Sequence, residues 1–380
     1  MSTWADKARR GSRRARRIRL TILVVLVVLL VPSLIGWGRA AVQCRMFGGG
    51  SVAGREAAAP GSNLRPEEQT YLTLPEWYIV YSADEYAAYL GLPNNRPSGF
   101  PYFQAIGQYW QAYYDVCTVT RDRYPFNVDY HLTLAVIGVS FTAENTVKGI
   151  YENTLGRAAE WSSTGEPTPE EAHGAQVAAE YGTFLHTTPW YSFPFWEKIG
   201  PLWRTVPSGP NLARQVERRL ALTLEYVVKA GYGWAIKTAT GAAYAPEDLE
   251  IRARAEGVTP ELAEREPELR ILEAPEGQPD LVVLPRYEAF TKLVPRLVDA
   301  DVRFVEIAGN DEIMLTVLAP RDWRPVPDQG ELLFSMPILT RSDQSRYALR
   351  VRVAALHTVV GGLTRPPASD AVLLEHIYDY

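Results

Sequence analysis

The chain has 380 residues, of which 47% are hydrophobic and 22% charged. These proportions are ordinary for folded protein and exclude an intrinsically disordered chain. The formal net charge is −5, and the length allows two domains with additional segments.

The charge is distributed unevenly, because residues 1–19 carry eight Lys or Arg and one acid. The remainder of the chain is therefore acidic, with a net charge of −12. Proteins that bind nucleic acid carry clustered basic residues on the folded part that meets the phosphates. We therefore predict no nucleic-acid partner and interpret residues 1–19 as a basic cytoplasmic tail.

An apolar segment follows the basic tail. The eighteen residues from Leu20 to Trp37 contain no charge, and as a helix rising about 1.5 Å per residue they nearly cross a hydrocarbon core. A cleaved signal peptide is the alternative, although its apolar region usually has about 7–15 residues. We predict an uncleaved transmembrane signal-anchor over 20–37. The protein would then cross the inner or plasma membrane once, with a cytoplasmic N-terminus and the bulk of the chain exported.

Residues 38–70 are rich in Gly, Ala, Ser and Pro, which is typical of a flexible stalk. The two cysteines, Cys44 and Cys117, lie on the side of the membrane where disulfides form. Cys117 falls within a helical pattern, which favours a small core residue. A bridge between the two cysteines stays open as the alternative.

Residues 71–245 predict a mainly α-helical domain that is rich in aromatic residues. Thr168, Pro169 and Glu171 supply an N-cap, a favoured first helical residue and a capping-box glutamate, so together they predict the start of a helix. Other helices are indicated by apolar residues that recur three and four positions apart.

Two of these helices carry long apolar stripes beside charged residues. In the first, Glu144, Lys148 and Glu152 follow one another at four-residue spacing. In the second, Glu225 and Lys229 argue against a further membrane span, because a charge near the bilayer centre costs about 2.5–3.5 kcal/mol. The stripes consist of Leu132, Ala135, Val139, Ala143, Val147 and Ile150, and of Leu212, Val216, Leu220, Leu224, Val227, Gly231 and Trp234.

The composition changes after the helical domain. Residues 246–279 are strongly acidic and contain several prolines, which predicts a solvated linker. From residue 280 onward a strand, a helix and four alternating segments predict a smaller α+β domain over 280–380, with a ferredoxin-like character. The complete chain is thus predicted to be α+β. The strand edges of this domain offer a surface for a protein partner or a second copy.

Ser140 is the candidate catalytic residue. An apolar run, the residues Gly138-Val139-Ser140-Phe141-Thr142 and a helix-compatible segment imitate the turn around a nucleophilic serine. The imitation is incomplete, because Thr142 stands where that turn requires a second glycine. A plain helix through Ser140 explains the same residues. A serine nucleophile would also need a histidine within about 3 Å.

Metal and cofactor signals are weak. Asp129, His131 and Glu144 lack the spacing of a ligand set, so we predict no metal site. The glycine-rich segment 48–54 follows no strand and precedes no helix, and the segment 231–236 lies inside a helical pattern and lacks the final glycine of a dinucleotide-binding loop. We therefore predict no cofactor.

Six aromatic side chains lie among three prolines between Pro189 and Trp203. Tryptophan and tyrosine are favoured where one end of the side chain is apolar and the other is wet. Core packing, a membrane-facing surface and a ligand groove are the three interpretations. Arg214, Arg218 and Arg219 follow in the chain and would suit an anionic headgroup layer. The candidate membrane-interface residues are Trp190, Tyr191, Phe195, Trp196 and Trp203.

These observations favour a single-pass, membrane-anchored envelope protein that binds or scaffolds at the membrane surface. Its expected partners are the lipid bilayer and either another protein or a second copy. The alternative function is a membrane-tethered hydrolase that uses Ser140 on a lipid-like or envelope substrate.

Overall fold

The computed structural model describes residue 27 and residues 31–44, 73–122, 126, 128–163, 165–204, 206–240, 249–274, 276–326, 329–364 and 372–378. The protein is α+β, with a helical N-terminal part followed by two antiparallel sheets. The basic tail 1–19 and most of the predicted anchor 20–37 lie outside the described residues. Within the described ranges, no helix combines the length and the apolar character needed to cross a bilayer.

The helical part begins with residues 31–43, which form helix α1. A π-helical turn, Glu152–Gly156, follows α4. The further helices are α2 (Thr73–Leu90), α3 (Tyr102–Thr120), α4 (Val128–Tyr151), α5 (Arg157–Trp161), α6 (Pro169–Leu185), α7 (Ile199–Leu202) and α8 (Leu212–Thr240).

The predicted helix start at Thr168 is confirmed as the beginning of α6. The Thr168 hydroxyl accepts a hydrogen bond from the Glu171 backbone N–H at 3.2 Å. The Glu171 carboxylate accepts one from the Thr168 backbone N–H at 2.9 Å. This reciprocal pair satisfies two backbone donors that a helix start otherwise leaves unpaired.

Two four-stranded sheets form the C-terminal part, and every neighbouring pair of strands is antiparallel. Sheet 1 has the order β2-β3-β1-β4 and contains β1 (Glu250–Glu256), β2 (Arg270–Glu273), β3 (Asp280–Pro285) and β4 (Arg303–Ile307). Sheet 2 has the order β6-β7-β5-β8 and contains β5 (Glu312–Pro320), β6 (Glu331–Pro337), β7 (Gln344–Arg352) and β8 (Leu373–Ile377). The connecting helices are α9 (Pro260–Arg265), α10 (Tyr287–Asp299) and α11 (Leu356–Thr364).

The interpretation of residues 246–279 as a solvated linker is wrong. This segment contains β1, α9 and β2, and β1 pairs with β3 on one side and β4 on the other. The side chains of Ile251, Ala253 and Ala255 are buried in the core while the charged residues between them face outward. Buried and outward-facing side chains alternate along β1 with the period of two that a strand requires. The sequence showed this pattern only weakly, because two of the three inward residues are alanines and the residues between them are charged.

The helical part packs directly on sheet 2. The Tyr81 hydroxyl of α2 lies 2.9 Å from the Tyr378 hydroxyl. Arg346 of β7 is buried, with its guanidinium 2.5 Å from Glu375 and 3.5 Å from Glu85 of α2. The opposite face of sheet 2 joins α10, α11 and sheet 1 in a second core. Sheet 2 is therefore shared between two cores, which joins the two parts of the chain.

Candidate functional site

Helix α1 is attached to α3 through small side chains. Ser33, Gly36 and Ala40 are buried on one face of α1, and a Cβ added to Gly36 would overlap the Trp110 ring of α3. The Tyr114 hydroxyl donates a hydrogen bond to the Gly36 carbonyl at 2.9 Å. Small residues at this spacing allow two helix backbones to approach closely. Residues 38–43, predicted to belong to the flexible stalk, are instead part of this packed helix.

The Trp110 ring also joins α3 to α4. A Cβ added to Gly138 would overlap the same ring, and the Trp110 indole N–H donates to the Thr142 hydroxyl at 3.0 Å. One tryptophan thus lies between a glycine of α1 and a glycine of α4, and α1 is held close to α4.

A disulfide links Cys44, directly after α1, to Cys117 of α3. The two Cα atoms are 4.8 Å apart. The preference for an unpaired Cys117 is therefore wrong, because two cysteines separated by 73 residues are brought together by helix packing that spacing alone does not show. The bridge fixes the end of α1 to the helical part.

His131 of α4 lies beside this disulfide. Its ring stacks on Phe126 with centroids 4.2 Å apart, and its Nδ1 is 2.7 Å from the Tyr113 hydroxyl. Burial lowers the pKa of His131 to about 4, so the ring is neutral at neutral pH. Among the described residues, the potential ligand atoms of Cys44, Cys117 and His131 lie within 4.8 Å of one another. In the bridged state the two sulfur atoms bond each other and are not thiolate ligands.

Helices α4 and α8 run antiparallel and are joined by polar side chains, which we call the polar ladder. From Ser140 to Tyr151 the pairs progress in opposite directions along the two helices, and the last pair uses Glu152 in the π-helical turn. They are Ser140 with Tyr232 at 3.0 Å, Glu144 with Lys229 at 2.8 Å, Lys148 with Glu225 at 2.8 Å, Tyr151 with Glu217 at 2.5 Å and Glu152 with Arg218 at 2.8 Å.

The ladder charges compensate one another. Burial opposes ionisation of Glu225, but attraction by Lys148 and Lys229 outweighs it and lowers the pKa of Glu225 to about 2. Burial likewise opposes the charge on Lys229, and attraction by Glu144 and Glu225 raises its pKa above the ordinary value. Glu225 and Lys229 therefore stay ionised at neutral pH, as expected where each charge meets opposite charges.

Apart from Ala135, which is buried, and Ala143, which is half-buried, the apolar stripes of α4 and α8 face outward. Such stripes usually pack against a core. From Leu212 to Ala235, every exposed position of α8 holds an apolar residue, a glycine or Tyr232. The exposed large side chains, which we call the outer apolar face, are Val128, Leu132, Val136, Val139, Val147 and Ile150 of α4, and Leu212, Val216, Leu220, Leu224, Val227, Val228 and Trp234 of α8.

Both stripes lie on the same side of the helix pair. On α4, Val147 comes one position before the ladder residue Lys148, and on α8, Leu224 comes one position before Glu225. One residue corresponds to a rotation of about 100° around a helix axis. Because the axes are antiparallel and the ladder directions are opposite, this equal rotation carries both stripes to one common side. The outer apolar face is therefore a single surface.

Ser140 lies in the middle of α4, where the hydrolase interpretation requires a sharp turn after a strand. Its hydroxyl is 3.0 Å from the Tyr232 hydroxyl, as the first rung of the polar ladder. The geometry of a serine nucleophile is therefore not present at this residue. The five histidines of the chain have other partners: His131 with Tyr113, His173 with the Lys198 carbonyl, His186 with Asp84, His357 with Asp301 and His376 with Thr291.

The aromatic segment is divided between core and surface. Phe195 is buried and packs with Val177 and Tyr226. The Trp190 ring lies 5.1 Å from that of Tyr232, and the Tyr191 backbone lies close to Gly233 of α8. Trp196 and Trp203 are 68% and 50% exposed. The structure therefore leaves these two, of the five candidate membrane-interface residues, with largely exposed rings.

The arginines that follow the aromatic segment do not face outward. Arg214 pairs with Glu171 at 2.8 Å, Arg218 with Glu152 at 2.8 Å and Arg219 with Glu170 at 2.5 Å, and all six side chains are largely buried. Their predicted contact with an anionic headgroup layer is therefore wrong. The arginine charges are neutralised by glutamates inside the helical part.

Sequence reasoning recognised both stripes and the charges of α4, but missed that α8 carries the complementary charges. The signal was present, since Glu217, Glu225 and Lys229 recur at four- and eight-residue spacing beside the α8 stripe. Comparisons with protein-family models, with curated proteins and with solved structures return no match to this chain.

Proposed function

We propose that this is a single-pass, membrane-anchored envelope protein that binds or scaffolds at the membrane surface, with a cytoplasmic N-terminus and the bulk of the chain exported. The observation that carries the proposal is the docking of α1 on α3. Residues 31–37 belong both to the predicted anchor and to α1, so the anchor would enter the helical part without a spacer.

A firm connection at this point supports a role close to the bilayer. The Gly36 contact with Trp110 and the Cys44–Cys117 bridge hold α1 at both ends of its packed region. A flexible stalk would let the folded part move away from the membrane, whereas this attachment keeps α3 and α4 beside the anchor. The disulfide also fits an exported compartment, where oxidising conditions preserve it.

The C-terminal sheets would supply the binding function. We infer that residues 250–307 form a ferredoxin-like unit, supported by their β-α-β-β-α-β order and the strand order β2-β3-β1-β4. This unit begins about thirty residues before the range 280–380 in which the sequence predicted it. Strands β2 and β4 are the edges of sheet 1, and they are the proposed place for a protein partner or a second copy.

The test is a topology measurement on the full chain expressed in a bacterial host. We expect it to stay in the membrane pellet after alkaline carbonate extraction. A C-terminal alkaline phosphatase fusion should be active, and a C-terminal green fluorescent protein fusion should be dark. Recovery of a soluble chain whose N-terminus lies beyond residue 37 would overturn the proposal, because the apolar segment would then be a cleaved signal.

A further inference from the structure

We propose that the outer apolar face of α4 and α8 rests on the lipid bilayer, with both helices lying along the membrane and their apolar side chains in the acyl boundary. This inference rests on the proposed membrane anchoring and names the surface that meets the membrane. It assigns that contact chiefly to residues of α4 and α8, whereas the sequence suggested it for the aromatic segment between Pro189 and Trp203.

The polarity of the helix pair is the first argument. The charges of Glu144, Lys148, Glu225 and Lys229 are used in the polar ladder, while the exposed positions beside them are apolar. A helix that faces water places its charges outward and its apolar residues inward. In α4 and α8 the charges are paired between the helices and the apolar residues are exposed, which is the arrangement expected where the exposed side meets an apolar environment. Contiguous exposed apolar surface of this extent marks an interaction site.

The position of the anchor is the second argument. Trp110 contacts both Gly36 of α1 and Gly138 of α4, so the outer apolar face begins next to the helix that would leave the membrane. The exposed side chains of α1 include Leu34, Ile35 and Val42, which extend the apolar character toward the anchor. A surface attached so closely to a membrane span has the bilayer as its nearest large apolar partner.

The dimensions of the helices are the third argument. Helix α4 has 24 residues and α8 has 29, which correspond to about 36 Å and about 43 Å. Each is apolar on one side only, and neither is suited to crossing a bilayer. Amphipathic helices of this kind lie in the interface with the apolar side about 5–10 Å deep.

Exposed tryptophans are the fourth argument. Trp234 belongs to the outer apolar face near the C-terminal end of α8. The Trp203 indole N–H donates to the Thr223 hydroxyl at 2.9 Å, so this ring lies against α8 one position before Leu224. Tryptophan is enriched at headgroup level because its ring is apolar and its N–H is polar.

The test uses single cysteines in the full chain, labelled with the environment-sensitive fluorophore NBD while the native disulfide is intact. The variants are Val147→Cys and Leu224→Cys on the outer apolar face. The control is Arg303→Cys on β4, where the native side chain is 63% exposed. Each protein is reconstituted in phosphatidylcholine–phosphatidylglycerol vesicles with and without doxyl-labelled lipid, which quenches NBD in the acyl region.

We expect doxyl lipid to reduce NBD emission about twofold or more at positions 147 and 224 and to leave position 303 unchanged. Equal emission with and without doxyl lipid at all three positions, in a chain that resists carbonate extraction, would overturn the inference while leaving the anchor intact. A chain that carbonate releases would overturn the anchoring and, with it, the inference.

A second copy of the chain is the competing occupant. In that case emission at position 224 would change with the protein-to-lipid ratio and would not respond to doxyl lipid. The Leu224→Cys chains would also form an intermolecular disulfide on mild oxidation. This pair of results would overturn the lipid contact in favour of a dimer through the outer apolar face.

Discussion

Helices α8 and α10 are both amphipathic, yet they point their apolar sides in opposite directions. In α10, Phe290, Leu293 and Leu297 are fully buried against the sheets, while Lys292, Arg296 and Asp299 face water. In α8, Leu220 and Leu224 are exposed while Arg214 and Arg218 are buried. An amphipathic pattern therefore predicts that a helix has two different sides, and does not say which side meets the rest of the protein.

The difference lies in what each helix finds as a neighbour. Helix α10 packs on strands whose inward residues are apolar, so its own apolar side is removed from water. Helix α8 lies beside α4 and α6, which present Glu144, Glu170 and Glu171 toward it. Buried arginines and lysines are tolerated there because each meets a carboxylate.

The largest expected effect comes from removing one partner of a buried ion pair of α8. Replacement Arg218→Met leaves the Glu152 carboxylate buried without its partner and should reduce the free energy of unfolding by about 3–5 kcal/mol. The measurement is urea unfolding of the full chain in detergent micelles. The control Arg303→Met removes an exposed arginine and should change stability by about 0.5 kcal/mol or less. Equal effects of the two replacements would contradict the buried pairing.

Replacement of a buried apolar residue of α10 should reduce the free energy of unfolding nearly as much. Replacement Leu293→Ala removes a fully buried side chain and should destabilise the protein by about 2–5 kcal/mol through lost burial and the cavity left behind. The neighbouring Lys292→Ala, at an exposed position, is the matched control. A loss below about 1 kcal/mol for Leu293→Ala would show that the core on this side is not closely packed.

The polar ladder should make stability depend on acid pH. The pKa of Glu225 falls from 4.5 to about 2 on folding, so its contribution is complete above about pH 4.5 and is lost as the pH falls toward 2. We expect Glu225→Gln to flatten the stability profile between these values and to remove about 3 kcal/mol at neutral pH. Glu250→Gln, in an exposed pair on β1, is the control. If Glu225→Gln lost as much stability between pH 4.5 and pH 2 as the unaltered protein, Lys148 and Lys229 would not be lowering the pKa of Glu225.

The smallest expected effect comes from the apolar side of α8. Leu224 is 66% exposed, so Leu224→Ala should change the free energy of unfolding in detergent by about 0.5 kcal/mol or less. Leu293→Ala makes the same replacement on α10. The difference in the free energy of unfolding between the two variants therefore compares the exposed apolar side of α8 with the buried apolar side of α10. A loss as large as that of Leu293→Ala would mean that the outer apolar face is covered by protein in solution.

Several local features could be predicted because they depend on neighbouring residues. The start of α6 follows from Thr168 and Glu171, which satisfy backbone groups three positions apart. The stripes of α4 and α8 follow from helical periodicity. The strand β1 could have been found from its alternation, but Ala253 and Ala255 give too weak an apolar signal beside so many charges.

Other features depend on residues far apart in the chain and could not be predicted. The pairing of Cys44 with Cys117 requires that α1 lie beside α3, which the contact of Gly36 with Trp110 allows. The residues around Ser140 resemble the segment around a nucleophilic serine. Its place in the polar ladder depends on the contact with the Tyr232 hydroxyl, which comes from a distant part of the chain.

The sequence by itself determined the α+β composition and the two-sided character of α4 and α8, because periodicity is local. Only the tertiary structure decided which side of each helix is buried. A charged side can enter the interior only when complementary charges meet it there, and the ion pairs of Glu144 and Lys148 with Lys229 and Glu225 form between segments about eighty residues apart. That complementarity turns the apolar side of α8 outward while the apolar side of α10 stays in the core.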